Sequence, residues 1–327
     1  MYRTKDVYSA VILERSRAQL DEAIESTNLN SCGFYRSLRS LQNDDTKNNM
    51  DKIIDGKALA AEIQQDLTVE IKSNDLNPSL AVILIGSDPA SRLYVNLKKK
   101  ACEKIGIEFH EYLMPENITE AQVLETIDFL NKDELTDAIL IQLPLPEQLD
   151  TDIIIKAIDP KKDVDGFHPE NIKKLLAGES DFIPGLALGI WKLIESTQEN
   201  LNNKSAVIVA KGDVFFQPLT KVLADKNIKA QLVDPKNPEL KKYTSAADIL
   251  IVAIGQPFFI KEDMVKDQAI VIDVGTNKVD ENHIVGDVDY TAVFEKVSHI
   301  TPVPGGVGPM TVAMLLYNTV QLHKNNK

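Results

Sequence analysis

The chain has 327 residues, 43% of them hydrophobic and 26% charged, with a formal net charge of -13. That length and balance predict two globular domains with sizeable cores and exclude a disordered or fibrous chain. The acidic surface disfavours nucleic-acid partners, and no apolar run approaches the ~18–20 residues of a membrane helix. Cys32 and Cys102 are the two cysteines. They make no disulfide framework and no metal-ligand spacing, so no metal is expected and a reducing cytoplasm is the simplest compartment.

Residues 1–49 read differently from the rest. Tyr2–Glu25 has a loose apolar stripe of Val7, Ile12, Leu13 and Leu20, compatible with a helix. Residues 26–49, rich in Asn, Ser and Asp, read as poorly ordered. The segment mixes acidic and basic side chains and lacks an apolar core, unlike a transit or signal peptide. Met50 stands where regular patterning begins. A start placed too early and a genuine extension both remain open readings.

From Met50 the pattern alternates between helix and strand. Asp55-Gly56 makes a turn, and Leu59, Ile63, Leu67 and Ile71 then recur every four residues, the stripe of an amphipathic helix. Leu80–Ile85 is a continuous apolar run closed by Gly86, the mark of a buried parallel strand. A helix is expected from Ser91 to Lys104, stopped by Gly106, and another over 119–131. Ala138–Leu143 reads as a second buried strand, ending in Pro144-Leu145-Pro146, and Asp152–Ala157 as a further helix. Strands Ser205–Ala210, Ala230–Val233, Asp248–Ala253 and Ala269–Asp273 follow a helix at Leu186–Ser196. Val312–Leu322 is an apolar helix expected to return to the first domain. The fold class is therefore α/β in two domains, with parallel sheets, right-handed crossovers and ligands beyond the carboxyl ends of the strands.

Three features converge at such an edge in the first half. Tyr94 and Lys98 lie four apart and share a helix face. Gln142 ends the second strand, and Asp165 lies in the turn Asp163-Val164-Asp165-Gly166-Phe167. Taken alone these residues are more usually a half-buried ring, a snorkelling amine, a surface amide and an Asp-Gly turn.

Longer stretches carry more. Gly86-Ser87-Asp88-Pro89-Ala90-Ser91, Tyr94-Val95-Asn96-Leu97-Lys98 and Lys104-Ile105-Gly106-Ile107 form one motif. Ile141-Gln142-Leu143-Pro144-Leu145-Pro146 with Asp159–Phe167 forms a second, and Ile300–Thr311 a third. In order and spacing, over about residues 50–322, they resemble the bifunctional methylenetetrahydrofolate dehydrogenase/methenyltetrahydrofolate cyclohydrolase family. The resemblance implies a folate-binding catalytic domain of residues 50–172 plus 305–327, and a Rossmann-like NAD(P)-binding domain of residues 173–304, with a cleft between them. It implies that Lys98 transfers protons in the cyclohydrolase step and that Gln142 orients Lys98 or the water. Tyr94 would stack on the folate rings, and Asp165 would accept hydrogen bonds from the pterin. Ile141, Leu143, Pro304, Gly305, Gly306, Val307, Gly308, Pro309 and Thr311 would wall the folate site. Tetrahydrofolate derivatives are the implied ligands and a homodimer the implied assembly.

On the cofactor side the resemblance breaks. Gly255-Gln256-Pro257, Asp273-Val274-Gly275 and Gly286-Asp287-Val288 fit the family pattern. The phosphate turn does not. Where the family has Gly-Arg-Ser, then Val-Gly and Pro, this chain has Ala210-Lys211-Gly212, then Phe215-Phe216 and Pro218. Further departures are Pro184-Gly185-Leu186-Ala187 and Gly275-Thr276-Asn277. Ala210, Lys211, Gly212, Gly255, Gly275 and Thr276 are the candidate cofactor residues. Three outcomes stay open: NADP held through Lys211, NAD held through an acid such as Asp234, or a lost dehydrogenase beside a working cyclohydrolase. A non-catalytic folate-binding paralogue is the rival from another class.

Overall fold

The computed structural model describes residues 51–212, 216–280 and 283–326. The expected helix at Tyr2–Glu25 and the Asp213–Phe215 part of the phosphate turn lie outside them.

Helix α1 (Gly56–Ser73) opens the first half. Asp55 starts it by accepting a 2.9 Å hydrogen bond from the Ala58 amide. Ala60, Leu67 and Ile71 are buried from it. Strand β1 (Ser79–Ile85) is buried at every residue, as a strand covered on both faces must be. Helix α2 (Pro89–Ile105) begins at Asp88, whose carboxylate accepts from the Ser91 amide and hydroxyl at 2.8 Å. It ends at Gly106, where φ of 93° favours a residue without Cβ. Strand β2 (Glu108–Met114), helix α3 (Glu120–Lys132) and strand β3 (Ala138–Ile141) complete a parallel sheet in the order β2-β1-β3. Thr119 and Gln122 form a reciprocal capping box at the start of α3.

Two parts of this sheet have no clear mark in the sequence. β2 is an edge strand that leaves Glu108, Glu111 and Leu113 exposed, so its apolar signal is diluted. Beyond β3, the Ile139 amide donates to Lys162 O at 2.7 Å, and Ile139 bridges Asp163 in parallel. The polar segment 162–164 thus lies along β3 as a short extra edge.

Helices α4 (Thr151–Ala157), α5 (Pro169–Ala177) and α6 (Gly185–Glu195) lead to the second half. There strands β4 (Ser205–Ala210), β5 (Lys229–Val233), β6 (Ile249–Ala253) and β7 (Ile270–Asp273) alternate with helices α7 (Gln217–Asp225) and α8 (Leu240–Thr244). A small antiparallel ribbon, β8 (Asn277–Lys278) with β9 (Ile284–Val285), and the short helix α9 (Tyr290–Val293) precede β10 (His299–Ile300). The large sheet runs β10-β7-β6-β4-β5, all parallel. Counted within the sheet this is order 2-1-3-4-5, a doubly wound arrangement whose switch point lies between β4 and β6.

Helix α10 (Val307–Asn326) returns to the first half, as its apolar pattern predicts, and packs on α1 and α6. Gly185 and Gly189 let α6 approach it closely, since a Cβ at Gly189 would stand 3.4 Å from Met310 Cβ and from Met314 Cγ. Buried His323 fastens its end. Its Nδ1 lies 2.8 Å from Asp137 Oδ2, which also accepts from the Ser79 amide at 2.8 Å. One contact therefore pins the starts of β1 and β3 to the last helix.

Candidate active site

The small sheet repeats the topology of the large one, with its switch point between β1 and β3. The Gln142 amide donates to Ile83 O at 2.9 Å, so Gln142 leaves β3 beside the carboxyl end of β1. Helix α2 starts from the loop after β1 and carries Lys98 back to that edge. Lys98 Nζ donates to Gln142 Oε1 at 2.8 Å. Gln142 is 4% exposed, and its Nε2 donates to Leu143 O at 2.7 Å. Both ends of the amide are fixed, which leaves its oxygen facing the amine. Tyr94, one turn before Lys98, is buried at 3% exposure.

Asp165 reaches the same edge by way of the extra strand at 162–164. Buried Asp163 shapes its turn by accepting from the amides of Gly166 (3.1 Å) and His168 (2.7 Å) and from Asn171 Nδ2 (3.1 Å). Burial raises the Asp163 carboxyl above its ordinary range. Gly166 has φ of 75°, and a Cβ there would stand 2.9 Å from Pro184 Cα. Asn318 of α10 donates to Val164 O at 3.1 Å and to Ile183 O at 3.3 Å, tying this turn to the last helix. Ile141, Leu143, Asp165 and Phe167 line one cleft with Ile155 and Ile158.

Burial lowers the Lys98 ammonium from its ordinary value, while the negative charge of Asp165 works against that shift. A lysine in this setting reaches its neutral form more readily than one in water, so it can act as a base. Cys102, one turn further along α2, is buried, and its thiol is pushed up to about 12. It therefore supplies no thiolate nucleophile.

The Pro304–Thr311 stretch spans the entry to α10. The Gly305 carbonyl accepts from the Lys57 amide at 3.0 Å. A Cβ on Gly56 would collide with the backbone of Gly306, and one on Gly306 would stand 2.7 Å from Pro302 O and from Thr301 Cβ. Close backbone approach is thus required where α1 meets this loop. Val307 is buried, Gly308 and Pro309 are half-buried in the first turn of α10, and Thr311 Oγ1 donates to Gly308 O at 2.7 Å.

The dinucleotide candidates gather at the other switch point. Ala210 pairs with Ala253, so Lys211 and Gly212 leave β4 beside the loop Ile254–Gln256. Gly212 and Gly255 have φ of 90° and 69°. Gly275 and Thr276 leave β7 on the same edge. Phe216, which occupies the place of a family glycine, is fully buried in the core against the start of α7. Its carbonyl accepts from the Thr220 amide at 2.9 Å, so α7 begins normally. The ring is absorbed by packing and not displayed at the edge. Among the described residues of this edge, Gly212 and Gly255 are the two glycines with positive φ.

Sequence reading missed the two buried acids beneath this edge, Asp273 and Asp287. Their only signal was the spacing of Asp273-Val274-Gly275 and Gly286-Asp287-Val288.

Fold and site together define an α/β enzyme with two ligand edges, one built around a half-buried lysine and one of dinucleotide-binding form. Family comparison is more specific. Residues 54–165 match the model of the tetrahydrofolate dehydrogenase/cyclohydrolase catalytic domain, and residues 184–327 match that of its NAD(P)-binding domain. The chain belongs to the tetrahydrofolate dehydrogenase/cyclohydrolase family. Over 276 residues it is 45% identical to the bifunctional protein FolD of Acetivibrio thermocellus, covering 84% of this chain and 97% of the relative. The crystal structure of the bifunctional FolD from Campylobacter jejuni is 44% identical and superposes with a TM-score of 0.81, covering 84% of this chain and 99% of that one. The FolD of Trypanosoma brucei, solved with NADP cofactor and inhibitor, is 33% identical with a TM-score of 0.79, covering 84% and 97%.

Proposed function

We propose that the chain oxidises 5,10-methylenetetrahydrofolate to the methenyl form with NADP, and then hydrolyses that form to 10-formyltetrahydrofolate. The observation that carries this reading is the Lys98–Gln142 pair, held at 2.8 Å beside Asp165 at the switch point of the small sheet. In the hydrolytic step neutral Lys98 takes a proton from the water whose oxygen bonds to the methenyl carbon. As the remaining hydroxyl proton passes to solvent and the formyl C=O forms, the carbon–nitrogen bond at N5 breaks, and Lys98 returns its proton to that nitrogen. Gln142 holds the amine on this path. Asp165 accepts from the pterin N–H groups, Tyr94 stacks on the folate, and Ile141, Leu143 and Pro304–Thr311 wall it. A pure folate binder has no need of the paired amine, which disfavours the non-catalytic reading.

NADP, when bound, accepts the hydride released by the methylene carbon. Lys211, Gly212, Gly255, Gly275 and Thr276 would hold it, with Ala210 at the base of the turn. β4 pairs with β5 up to Val209 and Val233, which sets Lys211 beside the turn that starts at Asp234. Asp234 Oδ1 accepts from the Lys236 amide at 2.7 Å. Lys211 offers a cation on the side of the sheet where a ribose 2′-phosphate would be received, which supports NADP over NAD. The NADP bound to the Trypanosoma brucei relative supports the same choice.

The division into residues 50–172 plus 305–327 and residues 173–304 follows the return of α10 onto α1. A homodimer in the cytoplasm, making formyl units for purine biosynthesis, completes the reading. Among the described residues no helix is long and apolar enough to cross a membrane. The test is a spectrophotometric assay with methylenetetrahydrofolate and NADP, NAD or neither. Methenyl formation preferring NADP is expected. Methenyl hydrolysis without reduction of either nucleotide would show that the departure at Ala210–Gln217 marks a lost dehydrogenase.

A further inference from the structure

Two carboxylates lie side by side beneath the dinucleotide edge, Asp273 at 3% exposure and Asp287 at 0%. Asp287 Oδ2 accepts from the amides of Ile254 (2.5 Å) and Gly255 (3.0 Å). Its Oδ1 accepts from the Gln256 amide (2.8 Å) and from Asn277 Nδ2 (2.9 Å). Asp273 Oδ1 accepts from the amides of Gly275 (2.9 Å) and Asp287 (3.1 Å), and its Oδ2 from the Val288 amide (2.8 Å). Thr301 Oγ1 fixes Asp273 in turn, accepting from its amide at 2.8 Å. The loops that leave β6 and β7, together with the segment after β9, are therefore pinned to a single pair of acids.

The glycines around the pair are shaped to it. A Cβ on Gly275 would fall on the Asp287 carboxylate, and one on Gly286 on that of Asp273. Burying two like charges together is costly, and burial with the Asp287 charge raises the Asp273 carboxyl well above its ordinary range. Simple stabilisation of a core does not explain such an arrangement, because apolar groups of the same shape serve that purpose as well. What the pair fixes is the direction of successive backbone amides on the edge where the cofactor binds.

We infer that Asp287 and Asp273 are positioning residues for the dinucleotide, holding the Ile254–Gln256 and Gly275–Asn277 loops in the one shape that receives the nicotinamide half of the cofactor. The inference rests on the dehydrogenase reading above. Neither acid touches the folate edge, so their effect divides the two activities. Asp287→Asn would place an NH2 against backbone N–H donors and release one loop.

The experiment measures NADPH affinity by fluorescence titration, with both activities, for wild type, Asp287→Asn and Asn277→Ala. The expected result is an NADPH Kd raised about tenfold or more in Asp287→Asn, and by a smaller factor in Asn277→Ala. Methenyl hydrolysis should stay within about twofold of wild type in both, since Lys98 and Gln142 lie on the other sheet. If Asp287→Asn does not fold, Asn277→Ala alone decides, because it removes only one donor to the same carboxylate. An unchanged NADPH Kd in a variant that still hydrolyses methenyltetrahydrofolate overturns the inference, as does parallel loss of both activities. A wild type that binds neither dinucleotide overturns the dehydrogenase reading and the inference with it.

Discussion

Replacing Gln142 by Leu removes the acceptor of Lys98 without adding charge. Gln142 is 4% exposed and makes two hydrogen bonds, one from Lys98 Nζ at 2.8 Å and one to Leu143 O at 2.7 Å. A hydrogen bond to a charged group is worth ~1.5–3 kcal/mol, and one between neutral groups ~0.5–1.5. The ammonium therefore loses ~1–1.5 kcal/mol more than the neutral amine, which is about one pH unit. The sign follows from which form the bond favours: it stabilises the charged amine, so its loss lowers the lysine pKa further. The limb of the hydrolysis profile that rises as Lys98 deprotonates should move about one unit towards acid. If the bond also orients the amine in the transition state, its loss slows the plateau rate by roughly tenfold to a hundredfold. The assay is the decay of methenyltetrahydrofolate absorbance across pH, with buffer-only rates subtracted. An unmoved limb with an unchanged plateau would refute the idea that Gln142 tunes and aims Lys98.

Asp165→Asn removes the charge that opposes the lowering of Lys98, so the same limb should shift towards acid while the folate KM rises; a shift towards base would contradict the site electrostatics. With its thiol pushed up to about 12, Cys102 should resist alkylation in the native protein at pH 8 and react only after unfolding, as peptide mass spectrometry would show. His323→Ala leaves buried Asp137 without its ring partner and should reduce stability by ~3 kcal/mol in urea unfolding. Lys211→Ala should raise the KM for NADP more than that for NAD and leave methenyl hydrolysis unaltered, a comparison made with steady-state kinetics.

Much of the frame was legible because it depends on local signals. The apolar runs at Leu80–Ile85 and Ser205–Ala210 are buried central strands, and Gly106 ends α2 with positive φ. The Tyr94–Lys98 spacing places both groups on one helix face. The pairing of Lys98 with Gln142 was implied by family resemblance, since no local rule links residues 44 apart. Other features escaped for the same reason. The strand at 162–164 is specified by its partner Ile139 and not by its own Lys-Asp-rich composition. Strand β2 exposes Glu111 and Leu113 on its open side, so alternation is blurred. Phe216 reads as a departure from a family glycine, and its burial is set by tertiary packing that no local pattern shows. The carboxylates of Asp273 and Asp287 read as loop residues, because their seven donors become neighbours only when β6, β7 and β9 come together.

If Lys98 performs the hydrolytic chemistry of a folate enzyme, removing its amine should abolish hydrolysis without abolishing folate binding. Methenyltetrahydrofolate hydrolysis should therefore be measured for wild type and Lys98→Met, with folate binding followed in parallel. Rapid hydrolysis by wild type is expected, with a rate at the buffer level for Lys98→Met, which still binds the folate. Equal rates with and without the amine would contradict that role.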